Sequence, residues 1–228
     1  MPPTSGHPTE EEPSGSVRVR PTQPGDFPAI VEMSRAVYPP RAAWREEELS
    51  AHLTRFPEGQ LVAVVSGTSE APGKEAVVGM AASLILAVDD YPHDANWWTL
   101  TGQGHFSTHD PELGDTLYGA GVLVHPEAQG KGVGTQLYGA REELARGLGL
   151  SRIVAGARIS GFHQHAHRLS AGEYVERVVA GELTDPTLSF QLSMGFRVLR
   201  VVKDYLPEDR ESLSYAAVVE WREPHSGE

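Results

Sequence analysis

Residues 122–134 read VLVHPEAQGKGVG, the end of an apolar strand followed by a glycine-rich loop. The predicted strand covers Leu117 to Val124, and an amphipathic helix is predicted from Val133 to Arg146. Alternating glycines leave the backbone bare, so that a phosphate can approach several N–H groups closely. The start of the helix adds free N–H donors and the positive end of its dipole. The stretch therefore predicts a pyrophosphate site, to which Lys131 can add a positive charge.

Two other phosphate-binding motifs do not fit this loop. A Walker A loop needs GxxxxGK followed by Ser or Thr, whereas Lys131 is followed by Gly132. A dinucleotide fingerprint needs GxGxxG, whereas residues 130–134 read GKGVG. From the loop alone, a glycine-rich turn that binds no ligand stays open as an alternative.

The longer pattern V-H-P-x-x-Q-G-x-G-x-G over residues 124–134 resembles the acetyl-CoA signature of the GCN5-related N-acetyltransferases. The resemblance implies that loop N–H groups bind the CoA pyrophosphate and that the preceding strand pairs with the pantetheine arm. It implies acetyl-CoA as the cosubstrate. The implied CoA-binding residues are Val122, Leu123, Val124, Gln129, Gly130, Lys131, Gly132, Val133, Gly134 and Thr135.

Segments outside the loop resemble the acetyltransferase domain that some bacterial proteins carry fused to a nitrilase-type carbon–nitrogen hydrolase. They include residues 56–60, 116–119, 157–163, 170–175 and 185–191, so the likeness covers nearly the whole chain after the tail. The chain has no cysteine, which excludes disulfides, thiolate metal ligands and the nucleophile of such a hydrolase. We therefore expect a stand-alone version of the acetyltransferase domain.

Hydrophobic periodicity predicts an α/β fold, a mixed sheet with helices on both faces, in agreement with the fold that the resemblance implies. Residues 1–15 are predicted to be a disordered tail and residues 16–223 a single domain. The other predicted strands cover residues 17–20, 60–65, 76–88, 152–157, 196–202 and 214–221. The other predicted helices cover residues 27–37, capped by Asp26, and residues 45–56, 171–180 and 185–194. The helix after the loop is expected to bury Val133, Leu137, Ala140, Leu144 and Leu148.

Two predicted insertions, residues 89–115 and 158–184, are expected to lie over the acceptor site. Trp97 and Trp98 in the first fit either an acceptor pocket wall or ordinary packing. The second contains His163, His165 and His167, which would share a face on a strand. Because no suitably spaced carboxylate accompanies these histidines and the resemblance implies no metal, we expect no metal site.

The groups that move protons are harder to assign. Family members often place a tyrosine four residues before the Gly-Phe that ends the last helix, as the acid for the CoA thiolate. Here that position is Gln191, and Gly121 occupies the strand position where an acidic residue is common. The candidates for these roles are Asp89, Asp90, His163, Glu173, Tyr174, Ser189 and Ser193, of which Asp90, His163, Glu173 and Tyr174 form the predicted catalytic set.

The net charge of -12 disfavours nucleic acid as a partner, and no apolar run is long enough to span a membrane. With no secretory signal, we expect a cytoplasmic protein, and we leave a homodimer open. We expect an N-acetyltransferase that moves acetyl directly from acetyl-CoA to a small-molecule amine in a ternary complex. The alternatives are a protein lysine or N-terminal acetyltransferase, and an acyl-CoA-binding sensor or regulatory domain without catalysis.

Overall fold

The computed structural model describes residues 16–38, 40, 42–68, 71–207 and 209–224. Within these residues, seven strands form one sheet in the order β1-β2-β3-β4-β5-β7-β6. The strands are β1 (Val17–Pro21), β2 (Gln60–Thr68), β3 (Ala71–Leu86), β4 (Thr116–Val124), β5 (Arg152–Arg158), β6 (Arg197–Val202) and β7 (Ala216–Arg222). Neighbouring strands are antiparallel except β4 and β5, which are parallel. The tail predicted over residues 1–15 lies outside the described residues.

The helices lie on both faces of this sheet. They are α1 (Phe27–Val37), α2 (Glu46–Arg55), α3 (Trp97–Leu100), α4 (Val133–Gly147), α5 (Ala171–Val179) and α6 (Leu188–Ser193). Apolar side chains of α1, α2 and α3 pack in one core, and those of α5 and α6 in another. None of the described helices is both long and apolar enough to cross a membrane.

Alternation along the strands separates the two cores. Tyr118 and Leu84 face the core with α1, whereas the adjacent Leu117 and Ile85 face the core with α5. This is the period of two that a strand buried on both faces requires. The prediction of a mixed sheet with helices on both faces is confirmed.

Local side-chain contacts move some predicted boundaries. The last helix begins at Leu188 instead of residue 185, because Asp185 Oδ1 accepts the N–H groups of Thr187 and Leu188 at 3.0 and 2.9 Å. Asp26 does precede α1, but its carboxylate does not cap that helix. It accepts the N–H of Gln23 at 2.8 Å and pairs with Arg20.

The buried face of α4 differs from the predicted stripe. Val133 and Leu137 are buried as expected, but Leu148 is exposed and Ala140 is half-buried. Tyr138 and Arg141 are buried instead. The apolar periodicity missed this face because an arginine and a tyrosine form part of it.

Candidate active site

The two parallel strands diverge and open a gap in the middle of the sheet. Pairing between β4 and β5 ends at Gly119 and Ala155, although β4 continues to Val124 and β5 to Arg158. The other edge of β5 pairs with β7 along its whole length, from Arg152 to Arg158. A cavity of about 670 Å³ occupies the gap, with residues of α1, α4 and α6 around it.

A β-bulge in β4 lies at the wall of this cavity. Ala82 of β3 pairs with Gly121, and the next residue, Ser83, pairs with Gly119, so Ala120 is the extra residue. Trp97 Nε1 donates a hydrogen bond of 2.8 Å to the Ala120 carbonyl. The indole of Trp97 therefore satisfies the carbonyl of the extra residue in the bulge.

Arg141 of α4 holds the other side of the bulge. Its Nη2 donates to the carbonyls of Gly121 and Ala82 at 2.8 and 3.1 Å, and its Nε donates to Ser83 Oγ at 3.0 Å. The side chain is 1 % exposed, and burial lowers its pKa. Among the described residues, no carboxylate forms a salt bridge with this guanidinium, and the Tyr138 side chain lies beside it. Arg141 is thus a buried cation, and it lines the cavity.

The glycine-rich loop also lines the cavity. Gly130 and Gly132 have φ values of 73° and 81°, a left-handed conformation that favours glycine. Gly132 is the N-cap residue of α4, so the N–H groups of Val133, Gly134 and Thr135 have no partner within the helix. Open donors and the dipole at a helix start are the features that bind a phosphate group.

Most of the predicted CoA-binding residues line this one cavity. They are Val122, Leu123, Val124, Gln129, Gly130, Gly132, Val133, Gly134 and Thr135. Lys131 is exposed and lies outside the cavity wall.

Aromatic and charged side chains close the end of the cavity farthest along β5. The wall here contains Tyr38, Trp44, Trp97, Arg158, Tyr205 and Leu206. Burial raises the pKa of Tyr38 to about 12, so its hydroxyl keeps its proton at neutral pH. Tyr205 fits against the strand because Gly156 has no side chain, since a Cβ there would lie 2.1 Å from the tyrosine ring.

Arg158 is fixed at this end by acidic neighbours. Its Nε and Nη2 each donate to Asp209 at 2.8 Å, and Nη2 also contacts Glu211 at 3.0 Å. Its Cζ lies 5.7 Å from the centre of the Tyr38 ring. The ion pair therefore holds this part of the cavity wall in place.

The substitution Asp209→Asn is expected to lower the free energy of unfolding by roughly 2 kcal/mol at pH 7, the typical effect of a hydrogen bond to a charged group. Burial raises the pKa of Asp209, but hydrogen bonds from Arg158 outweigh burial and leave it below the ordinary 3.8. A lowered folded-state pKa gives stability that is present above about pH 4 and is lost as the pH falls through the folded value.

Urea unfolding between about pH 3 and pH 7 measures this effect, with Glu211→Gln as the matched exposed control. The difference in free energy of unfolding between wild type and Asp209→Asn should become smaller below about pH 4. A difference that stays constant over this pH range would show that the ion pair does not contribute to stability.

Tyr138 and Gln191 meet where α4 and α6 flank the cavity. Gln191 Nε2 donates to the Tyr138 hydroxyl at 2.8 Å, and both residues line the cavity. Gln191 Oε1 is buried without a hydrogen-bond partner among the described residues. The position that carries the usual acid in the family is therefore next to a tyrosine hydroxyl.

The four residues of the predicted catalytic set lie away from the cavity wall. Asp90 is exposed in a 3-10 turn, and Glu173 caps α5 by accepting the N–H of Ser170 at 2.8 Å. Tyr174 is fully buried and donates to Asp185 Oδ2 at 2.9 Å. His163 Nδ1 donates to the Ser160 and Glu211 carbonyls at 2.8 and 3.0 Å. Each side chain has a local structural partner or faces solvent, and the fold does not bring them together.

The remaining candidates are also distributed elsewhere. Asp89 pairs with Arg152 at 2.8 Å, and the Ser189 and Ser193 hydroxyls bond to backbone groups within their own turn. Trp97 lines the cavity, whereas Trp98 packs edge-on against the Trp97 ring, with ring centres 4.9 Å apart. Residues 162–164 form a 3-10 turn instead of a strand, so the histidine segment does not present one shared face.

Sequence reasoning missed several aromatic and charged residues that line the cavity. They are Tyr38, Trp44, Tyr138, Arg141, Arg158 and Tyr205. A signal was available for two of them, because Tyr138 and Arg141 are three residues apart on the helix that starts at the loop. The other four come from separate segments that only the fold brings together.

Comparisons with known proteins agree with this geometry. The chain is 36 % identical over 203 residues to the probable hydrolase YhcX of Bacillus subtilis (strain 168), a match that covers 89 % of this chain. It spans 38 % of the length of that relative. It is 34 % identical over 201 residues to the uncharacterized N-acetyltransferase YkwB of the same organism, covering 86 % of this chain and 84 % of YkwB.

A solved structure is also similar, the GphF GNAT-like decarboxylase in complex with isobutyryl-CoA. Its TM-score is 0.74 at 25 % identity, over 90 % of this chain and 98 % of that one. Residues 26–170, more than half of the 228, match the acetyltransferase (GNAT) family itself. With the diverging strands and the glycine-rich loop at the start of α4, this match shows that the chain belongs to the GNAT family of acyl-CoA-dependent acyltransferases.

Proposed function

We propose that this protein transfers an acetyl group from acetyl-CoA directly to the amine of a small molecule, within one ternary complex. The observation that carries the proposal is that one cavity contains both the loop at residues 129–134 and the aromatic end around Tyr38 and Trp97. Acetyl-CoA bound at the loop and an amine bound at the aromatic end would meet at the gap between β4 and β5. The bulky aromatic walls of this end favour a small acceptor over an extended peptide.

The chemistry of the cavity suits a neutral amine. A lysine-like amine has a pKa of about 10.4, so that holding it neutral at pH 7 requires roughly 4–5 kcal/mol. Arg141 is a buried positive charge without a carboxylate partner among the described residues, and it disfavours a second cation nearby. Backbone N–H groups of the widened β4 edge can polarise the thioester carbonyl. Amine attack then forms the C–N bond, and the C–S bond breaks with its electron pair leaving on sulfur.

The test is release of CoA from acetyl-CoA with a panel of small primary amines and a matched panel of lysine and N-terminal peptides. We expect acceptor-dependent release with at least one small amine, at a rate well above acetyl-CoA hydrolysis. Turnover with peptides alone would contradict the small-molecule acceptor. Tight binding of acetyl-CoA without turnover on either panel would favour the sensor alternative and contradict transfer.

Decarboxylation of a carboxyacyl-CoA is a second candidate. It is favoured by the buried guanidinium of Arg141 and the hydroxyl of Tyr38, since both residues line the cavity. Loss of CO₂ breaks a C–C bond and leaves its electron pair as a thioester enolate, which such donors stabilise before the α-carbon takes a proton. The similar structure of GphF is that of a GNAT-like decarboxylase. Conversion of malonyl-CoA to acetyl-CoA without any acceptor would establish this reaction, and unchanged malonyl-CoA would exclude it for that substrate.

The cytoplasmic location and a homodimeric state stay predictions. Sedimentation of the purified chain at several concentrations would measure the second.

A further inference from the structure

The hydroxyl of Tyr138 lies at the position where the sequence lacks its expected acid. Gln191 occupies that position on α6, and its amide Nε2 lies 2.8 Å from the Tyr138 oxygen. Because the amide donates in this bond, the hydrogen of the hydroxyl is not used in it. Tyr138 lines the cavity, so this hydrogen is available to a group inside it.

The ring of Tyr138 is held in one orientation by its neighbours. Phe190 and Phe196 pack edge-on against it, with ring centres 5.3 and 5.6 Å away. Its backbone belongs to α4, which begins at the glycine-rich loop a little more than one turn earlier. The same helix therefore fixes the tyrosine relative to the predicted pyrophosphate site.

The charges around Tyr138 suit a group that gives up a proton and regains it. Burial raises the pKa of Tyr138, while Arg141 and the Gln191 hydrogen bond oppose this rise. The hydroxyl is therefore protonated at neutral pH. Arg141 Cζ lies 5.5 Å from the centre of the ring, close enough to stabilise the phenolate that forms during transfer.

We propose that Tyr138 is the catalytic acid that protonates the CoA thiolate, with Gln191 as the positioning residue that orients its hydroxyl. As the C–S bond breaks, the electron pair moves to sulfur and the Tyr138 proton follows, giving free CoA thiol and a phenolate. The phenolate then takes a proton released by the acetylated amine, directly or through water, so that protons balance over the cycle. This inference rests on the proposed acetyl transfer.

The kinetic test compares Tyr138→Phe with Tyr174→Phe, a matched removal of a buried hydroxyl outside the cavity wall. Loss of a general acid typically lowers the rate about 10²–10⁴-fold, so kcat of Tyr138→Phe should fall at least about 100-fold. The KM for acetyl-CoA and the melting temperature should stay close to those of wild type. Tyr174→Phe should keep kcat within about threefold. A Tyr138→Phe enzyme with wild-type kcat would overturn the assignment.

A second measurement does not depend on turnover, and so separates this inference from the proposed function. The thiol of CoA bound to wild type and to Tyr138→Phe is titrated by the ultraviolet absorbance of its thiolate. A hydrogen bond from Tyr138 to the thiolate should make the bound thiol pKa about one unit lower in wild type than in the variant. Equal pKa values would show that the hydroxyl does not reach the sulfur, even in an active enzyme.

The role of Gln191 has its own readout. Gln191→Leu should lower kcat about tenfold and raise the bound thiol pKa, while the KM for acetyl-CoA changes little. A purely structural role would lower the melting temperature without moving the thiol pKa, and that result would overturn the positioning role.

Discussion

Substitution of Gly132 by glutamate is expected to weaken binding of acetyl-CoA by at least about 100-fold. Gly132 is the N-cap of α4 with φ of 81°, and the cavity wall runs along the loop on both sides of it. A glutamate here places a negative charge where the pyrophosphate is expected and strains the left-handed backbone. Loss of even one or two charge-assisted hydrogen bonds amounts to about 3 kcal/mol, which is roughly a hundredfold in affinity.

Gly149→Glu is the matched control for this loop variant. Gly149 has φ of 73°, is exposed and has open space where a side chain would begin, as Gly132 also has, but it lies beyond the end of α4 outside the cavity. The control introduces the same strain and the same charge without reaching the loop. Calorimetric titration with acetyl-CoA should give the Gly149→Glu protein near wild-type affinity. Equal affinities for both variants would remove the loop from the CoA site.

Substitution of Arg141 by methionine is expected to lower the free energy of unfolding by about 3–5 kcal/mol. The guanidinium satisfies two buried acceptors, the carbonyl of Ala82 and the hydroxyl of Ser83, and the half-buried carbonyl of Gly121. Each buried acceptor that is left without a donor costs about 1–3 kcal/mol. Because two of the acceptors belong to the bulge, the cavity edge of β4 should also become less ordered.

Arg146→Met tests whether the effect belongs to Arg141. Arg146 lies on the same helix but forms exposed ion pairs with Glu142 and Glu223, which contribute at most about 1 kcal/mol. Urea unfolding measures the free energy of unfolding of both variants. Hydrogen exchange of the β4 amides shows whether order is lost at the cavity edge of that strand. A decrease below about 1 kcal/mol for Arg141→Met would show that other groups or water satisfy the bulge.

The glycine-rich part of the cavity wall could be predicted from sequence because its signal is local. Gly130, Gly132 and the following helix are consecutive, and left-handed glycines at a helix start act through their own backbone. The aromatic part of the cavity wall had no comparable signal. Tyr38, Arg158 and Tyr205 are far apart along the chain, and nothing in the local pattern of any of them indicates a cavity.

The local sequence also gave no reliable signal for the proton-transfer residues. Tyr174 and Glu173 carry suitable groups, but their contacts with Asp185 and Ser170 stabilise the turn and helix in which they lie. Tyr138 stood in a helix whose apolar stripe was assigned without it. Its hydrogen bond with Gln191 joins two helices through residues that are 53 positions apart in the chain. Hydrophobic periodicity carries no information over such a separation.

The sequence by itself determined the glycine-rich loop, the alternation of the strands and the family, since these depend on residues adjacent in the chain. The tertiary structure alone decided where β4 and β5 separate, how Arg141 supports the bulge, and which tyrosines line the cavity. These features arise from packing between distant segments, because a buried cation or hydroxyl acquires its role only from the groups that the fold places around it.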